Sequence, residues 1–286
     1  IEDAKKAKPA PAPREDLTRI PLITIDPEDA RDHDDAVYAE SDGKGGWRVI
    51  VAIADVSAYV RTGTALDREA YRRGNSTYFP DRVSPMLPEH LSADLCSLKE
   101  DELRETFAVE MFFDSSGHKK SHRFIRGKMR SAAKLSYRQA QDAIDGRPDA
   151  KTQPLLESVL KPLWASYFTV SKARDHRAPL DLDLPERRVR IGEDGKIASI
   201  TLRERFDAHR LIEEFMIQAN VCAAETLEEK RTKLVYRVHD EPSEEKVAAL
   251  GNFLPTIGLK WTKGEKVTGS RFNRLLAEAK GSENEH

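Results

Sequence analysis

Between Thr24 and Asp35 the chain reads TIDPEDARDHDD, with six carboxylates (Asp26, Glu28, Asp29, Asp32, Asp34 and Asp35) inside ten residues. Only Arg31 and His33 lie within the stretch to offset them. Carboxylates about 4 Å apart repel by roughly 1 kcal/mol in water and several-fold more near a protein surface. An acidic run is ordinarily a solvated loop. This one leaves one apolar run, IPLITI, and enters another, AVYA, so it is squeezed between segments that read as buried. A cation would neutralise it. Oxygen-only ligands suit Mg²⁺, Mn²⁺ or Ca²⁺, and Mg²⁺ keeps several waters while holding a substrate phosphate. The loop lacks the sixth-position glycine and the closing glutamate of a calcium EF-hand. In an extended chain Asp32 and Asp34 share one face and Asp35 faces away. The three meet on one ion only where the backbone turns, which is the geometry of a reaction site.

Other residues carry weaker signals. On a helix expected from Asp207 to Lys230, His209, Glu213 and Asn220 fall within about 40° of one another at 100° per residue; a polar stripe satisfied by neighbouring loops is the competing reading. Along a strand over Lys120–Arg130, one face presents Lys120, His122, Arg126, Lys128 and Arg130 with Phe124 among them. A solvated charged face is the ordinary reading of such a pattern and a phosphate track the functional one. Tyr78, in NSTYFP, taken alone reads as core or turn packing. Cys96 and Cys222 have no CxxC partner, which leaves neither a zinc site nor a disulfide framework indicated and fits a reducing cytoplasm.

The elements that must position these residues alternate along the chain. PLITID and WRVIVAIADVSAYV are rich in β-branched residues and predict strands. TALDREAYRRG predicts a short amphipathic helix stopped by Gly74. A hairpin is expected around DSSG, helices over SYRQAQDAIDG and from Pro154 to Arg174, and a second hairpin turning at EDG. After the long helix come a strand, LVYRVHD, and a helix from Ser243. Hairpins interleaved with helices predict an α+β fold, a mixed and largely antiparallel sheet packed with helices.

With 286 residues, 39% hydrophobic and 34% charged, the chain reads as one large globular domain or two modest ones. No apolar run approaches the roughly 20 residues needed to cross a bilayer, and the N-terminus has no signal-peptide core. The net charge of −2 carries no basic excess; a polyanionic partner must meet a local basic patch or bound cations. Residues 1–18, with KPAPAPRED, read as a linker from a preceding domain that cannot itself pack a core. The chain also ends abruptly after a helical pattern, as expected for a piece of a longer protein.

The pattern Asp-x5-Asp-x-Asp-Asp in LITIDPEDARDHDDAVYAE resembles the catalytic signature of the RNase II and RNase R exoribonucleases, the RNB family. The resemblance continues in order through GGWRVIVAIADVSAYV, LDREAYRRGNSTYFPDRVSPMLPEHLSADLCSL, LIEEFMIQANVCAAETL and YRVHDEPS, and is closest to the bacterial RNase R branch. It implies that 19–286 is the N-terminal portion of an RNB catalytic domain. It also implies a Mg²⁺-dependent 3′→5′ exoribonuclease, with Mn²⁺ as a substitute, that releases 5′-nucleoside monophosphates processively by two-metal hydrolysis. Asp26, Asp32, Asp34 and Asp35 match the family's metal-binding catalytic aspartates, Asp34 aligning with the indispensable one. Tyr78 matches the tyrosine that stacks on a base near the RNA 3′ end, and Leu182 stands where the family often has a phenylalanine clamping the other side. Glu213 or Glu214, Arg237 and His239 match segments lining the active-site region. The implied partner is single-stranded RNA, or structured RNA with a 3′ tail, met by a cytoplasmic monomer without membrane attachment. A later TSPIRRY-type motif, whose arginine clamps the phosphate, and flanking oligonucleotide-binding barrels do not occur in this sequence. Two readings compete: a non-catalytic RNA-binding protein on the same fold, against which the four aspartates count, and a metal-binding regulatory domain, against which the Tyr78 segment counts.

Overall fold

The run WRVIVAIA forms β4 (Trp47–Ala54), and its middle residues are buried on both faces, the mark of a central strand. The computed structural model describes residues 7–175, 179–180, 186–192, 194–262 and 264–283. β4 pairs antiparallel with β3 (Asp35–Ser41) on one side and β7 (Leu103–Phe113) on the other. β7 turns through DSSG into β8 (Lys119–Arg130), the hairpin expected there. Gly117 makes that turn possible: its φ is +80°, and a Cβ there would run into the carbonyl oxygen of Thr169. Beyond β3 lies β2 (Ile23–Asp26), antiparallel to β3 and parallel to the edge strand β9 (Ala133–Ser136). The opposite edge is β1 (Glu15–Asp16), parallel to β8, which gives a seven-stranded sheet ordered β1-β8-β7-β4-β3-β2-β9. Two short ladders stand apart: β5 (Thr77–Tyr78) with β6 (Val83–Ser84), and β10 (Arg187–Ile191) with β11 (Ile197–Leu202).

Strand alternation divides the core in two. Val37, Val49, Val51, Val109 and Met111 face the helices α2 (Tyr137–Ile144), α3 (Lys161–Asp175) and α4 (Asp207–Glu229), meeting Leu163, Trp164, Leu211 and Phe215. Phe215 is fully buried, which stabilises by about 1.5–3 kcal/mol. Ile50, Ala52, Ala108, Ile125 and Met129 face the other way, onto Leu66 of α1 (Ala65–Arg73) and the segment carrying Leu87, Leu91 and Leu98. The termini follow local chemistry: Thr64 caps α1 and Gly74 closes it, while Ser136 and Gln139 form a reciprocal capping box at the start of α2. α5 (Glu244–Phe253) and α6 (Gly269–Ala279) complete the described helices. This is the mixed α+β architecture expected, with a largely antiparallel sheet.

Three local expectations are corrected. LVYRVHD pairs with no strand among the described residues, and Val235 is 95% exposed, because a strand needs a neighbour for its backbone groups and none runs beside it. The helix expected from Pro154 becomes α3 only at Lys161, after two short irregular turns. The N-terminal stretch packs against the domain. Ala10 N–H donates to the Ala58 carbonyl at 2.8 Å, Leu17 is buried, and Arg14 pairs with the buried Asp55 at 2.9 Å and with Glu105. A buried carboxylate needs such a partner, and this one recruits the chain that precedes β1.

Candidate active site

β2 delivers Asp26 at its last residue and β3 begins at Asp35, so Asp32 and Asp34 lie in the connection between two paired strands. That connection is pinned from outside. Ser97 Oγ accepts the His33 N–H at 3.1 Å and donates to the Arg31 carbonyl at 3.0 Å. Leu98 N–H donates to the His33 carbonyl at 2.8 Å, and Ala54 N–H to the Asp34 carbonyl at 2.8 Å. Ser97 is itself held by a wide turn over Leu91–Leu95, closed by Cys96 N–H on the Leu91 carbonyl, and by Arg104 Nε on the Ser97 carbonyl at 2.9 Å. Such wide turns are uncommon and recur at functional sites.

Inside the loop, the His33 ring is 2% exposed and places Nδ1 2.8 Å from Asp26 Oδ2. Ser97 and Arg104 carry no signal in the sequence, where His33 reads only as an offset to the acidic run. Nothing in RDHDD distinguishes a buried histidine from a solvated one, and Ser97 acts from sixty-four residues away.

Burial, then the negative charges of Asp32 and Asp26, push the Asp34 carboxyl up to about 6. Burial, then Asp26 and Asp34, push Asp35 up to about 7. Asp35 Oδ2 is buried with no hydrogen-bond partner, as is His33 Nε2. Among the described residues no lysine or arginine pairs with any of the four aspartates. The structure thus brings Asp26, Asp34 and Asp35 into mutual repulsion with Asp32 beside them.

Among the described residues no three His, Cys, Asp or Glu side chains are drawn together tightly enough to form a ready-made metal cage. The donor chemistry nevertheless fits a hard divalent cation. All four groups offer oxygen, one oxygen is buried without a partner, and the raised pKa values are those of carboxylates lacking a counter-charge.

Aromatic residues border the cluster. The Tyr78 hydroxyl donates to Asp32 Oδ2 at 3.3 Å, while the side chain remains 67% exposed, its ring open to a ligand. Tyr137, at the start of α2, stacks on His209 at the start of α4 with ring centroids 3.8 Å apart. Its phenol is pushed up to about 12 by burial, then by Asp26 and Asp35, which puts it at the edge of the cluster. The polar stripe on α4 does not act as a unit. His209 stacks, Glu213 pairs with Arg205 at 2.8 Å, and Asn220 is exposed. Glu214 is fully buried between Arg174 and Gln218, at 2.9 Å from each. Arg237 and His239 are exposed, and Leu182 lies outside the described residues.

The chain is 42% identical to Ribonuclease R of Escherichia coli over 269 residues, 93% of this chain and 33% of that protein. It is 42% identical to Ribonuclease R of Aquifex aeolicus over 274 residues, 96% of this chain and 39% of that one. The chain therefore spans about a third of the length of these curated relatives. The structure of Mycoplasma genitalium RNase R in complex with ribose-methylated single-stranded RNA superposes with a TM-score of 0.90 at 29% identity, covering 99% of this chain and 45% of that one. Residues 14–285 match the RNB domain, and the chain belongs to the RNB domain family.

Proposed function

We propose that the protein is a Mg²⁺-dependent 3′→5′ exoribonuclease that degrades RNA processively to 5′-nucleoside monophosphates, and that this chain is the N-terminal portion of its catalytic domain, beginning by Arg14. The observation that carries the reading is the set of four aspartates, crowded and without a lysine or arginine partner among the described residues, in a chain whose relatives are named Ribonuclease R. Asp26, Asp32, Asp34 and Asp35 would hold the metal, with Mn²⁺ as a substitute. When bound, a pair of such ions supplies an activated water and stabilises the departing 3′-oxygen.

The chain's own residues do the rest. His33 fixes one oxygen of Asp26, leaving the other free to face the site. Ser97 and Leu98 hold the loop so that four like charges stay together when their repulsion would spread them. Tyr78 offers an exposed ring for a terminal base, a contact worth roughly 1–3 kcal/mol and indifferent to base identity. The partner is single-stranded RNA or the 3′ tail of structured RNA. No helix among the described residues is long and apolar enough to cross a membrane, and the two separated, buried free cysteines accord with a reducing cytoplasm.

Asp34→Asn tests the reading. It removes a charge that acts on the transition state and spares the contacts that hold the strand. Hydrolysis should be abolished while RNA affinity stays within a few-fold, and chelation of Mg²⁺ should silence the unaltered protein. Activity surviving in chelator, or binding lost in parallel with activity, would refute it.

A further inference from the structure

The register of the sheet carries a second feature outward from the aspartates. Asp35 lies opposite Ile53, Ile53 opposite Phe107, and Phe107 opposite Arg126. Residues in register across a sheet project to one face, so these four side chains form a row on the helix-bearing face. With strands about 4.8 Å apart, the Arg126 backbone is about 14 Å from that of Asp35.

The helices cover the neighbouring Val109 and Met111 and half-bury Ile53 and Asp35, but leave the outer half of the row open: Phe107 is 41% exposed and Arg126 is exposed. Phe107 lies parallel to Phe124, ring centroids 5.4 Å apart and planes within 9°. The Arg126 guanidinium sits 6.0 Å from the Phe107 centroid. Its carboxylate neighbour Asp55, at 3.5 Å, is held more closely by Arg14 at 2.9 Å. Arg130, on the same face of β8, donates to the neutral Asp101 carbonyl and so keeps its full charge for an anion. On the far side the trough is closed where His122 meets Thr226 of α4 at 2.7 Å.

We propose that this open face, Phe107 on Phe124 with Arg126 and Arg130, is a subsite for single-stranded RNA 5′ of the phosphate held at the aspartates. The inference rests on the RNA reading above. Exposed aromatic rings in a sheet face take bases by stacking, and arginines beside them take the backbone phosphates. An RNA strand is the ligand that needs both in repeat, and the row leads from them across the half-buried Ile53 to the aspartates.

The test is binding of ribose-methylated RNA, the modification carried in the Mycoplasma genitalium complex, as a labelled dinucleotide and a labelled hexanucleotide. Phe107→Ala should weaken the hexanucleotide roughly 5- to 150-fold and leave the dinucleotide unchanged. Phe107→Leu, which keeps most of the packing, should act in the same direction. Arg126→Gln should make the slope of log affinity against log salt less negative by about 0.7 for the hexanucleotide only, as expected for one lost phosphate contact on a single strand. The subsite is refuted if the protein binds RNA but all three variants hold the hexanucleotide as tightly as the parent, or if both lengths weaken equally. It is also refuted if the substitutions alter only thermal stability or self-association, which would mark the face as a protein contact. Failure of the unaltered protein to bind either RNA would instead overturn the RNA reading itself.

Discussion

Ser97→Ala isolates the contribution of the frame that holds the aspartates. Ser97 is fully buried and touches none of the four carboxylates through a hydrogen bond; it bridges the His33 N–H and the Arg31 carbonyl. Removing the hydroxyl leaves the buried His33 N–H without an acceptor, at a cost of about 1–3 kcal/mol. The Arg31 carbonyl is nearer solvent and can recover a water, so its loss is that of an ordinary hydrogen bond, about 0.5–1.5 kcal/mol. Together these give a destabilisation of roughly 2–4 kcal/mol, with little relief from the small cavity left by one oxygen. The effect should not stay local. His33 carries Asp26 through its ring, so a loosened backbone at His33 displaces the Asp26 carboxylate that we propose as a metal ligand. Outer partners of metal ligands typically contribute about 10–100-fold to metal affinity. Urea unfolding of the metal-free protein and Mn²⁺ titration followed by electron paramagnetic resonance measure the two quantities separately. A variant with the parent's unfolding midpoint and Mn²⁺ affinity would show that Ser97 does not hold the loop.

Tyr78→Ala should change where degradation stops more than how fast long RNA is consumed, because a stacked terminal base matters most when few nucleotides remain; a product ladder identical to the parent's would count against the ring's role. Glu110 is buried, which alone would raise its pKa, but hydrogen bonds from Arg123 and Arg48 outweigh burial and hold its carboxyl below the usual 4.5. A depressed folded pKa contributes stability that is complete above 4.5 and lost as pH falls through the lower folded value. Thermal midpoints should therefore drop on acidification through that window, and Glu110→Gln should start lower and flatten the drop; parallel curves for the two proteins would exclude Glu110 as a source. Gly117→Ala should destabilise by roughly 1–3 kcal/mol, since the positive φ and the nearby Thr169 carbonyl leave no room for a methyl group; an unchanged melting temperature would contradict the tight turn.

Local chemistry made much of this protein legible before any fold was seen. The aspartate spacing, the DSSG hairpin, the Thr64 and Gly74 stops of α1 and the length of α4 are written within a few residues of where they act. Richness in β-branched residues likewise marked β4 as a strand, because such side chains fit the pleated backbone locally. What the tertiary structure alone decided depends on partners distant in sequence. His33 became the support of Asp26 only because Ser97 and Leu98 return to pin its backbone. The stripe His209, Glu213 and Asn220 shares a helix face but is divided by what that face meets: Tyr137 at one end, Arg205 in the middle and solvent at the other. Arg14 and Leu17 joined the domain because Asp55, buried at the end of β4, required a cation. Phe107 and Arg126 fell into line with Asp35 through pairing register, which no short stretch encodes. Conversely, LVYRVHD has the composition of a strand and no neighbour among the described residues, since a strand's hydrogen bonds are supplied by another part of the chain.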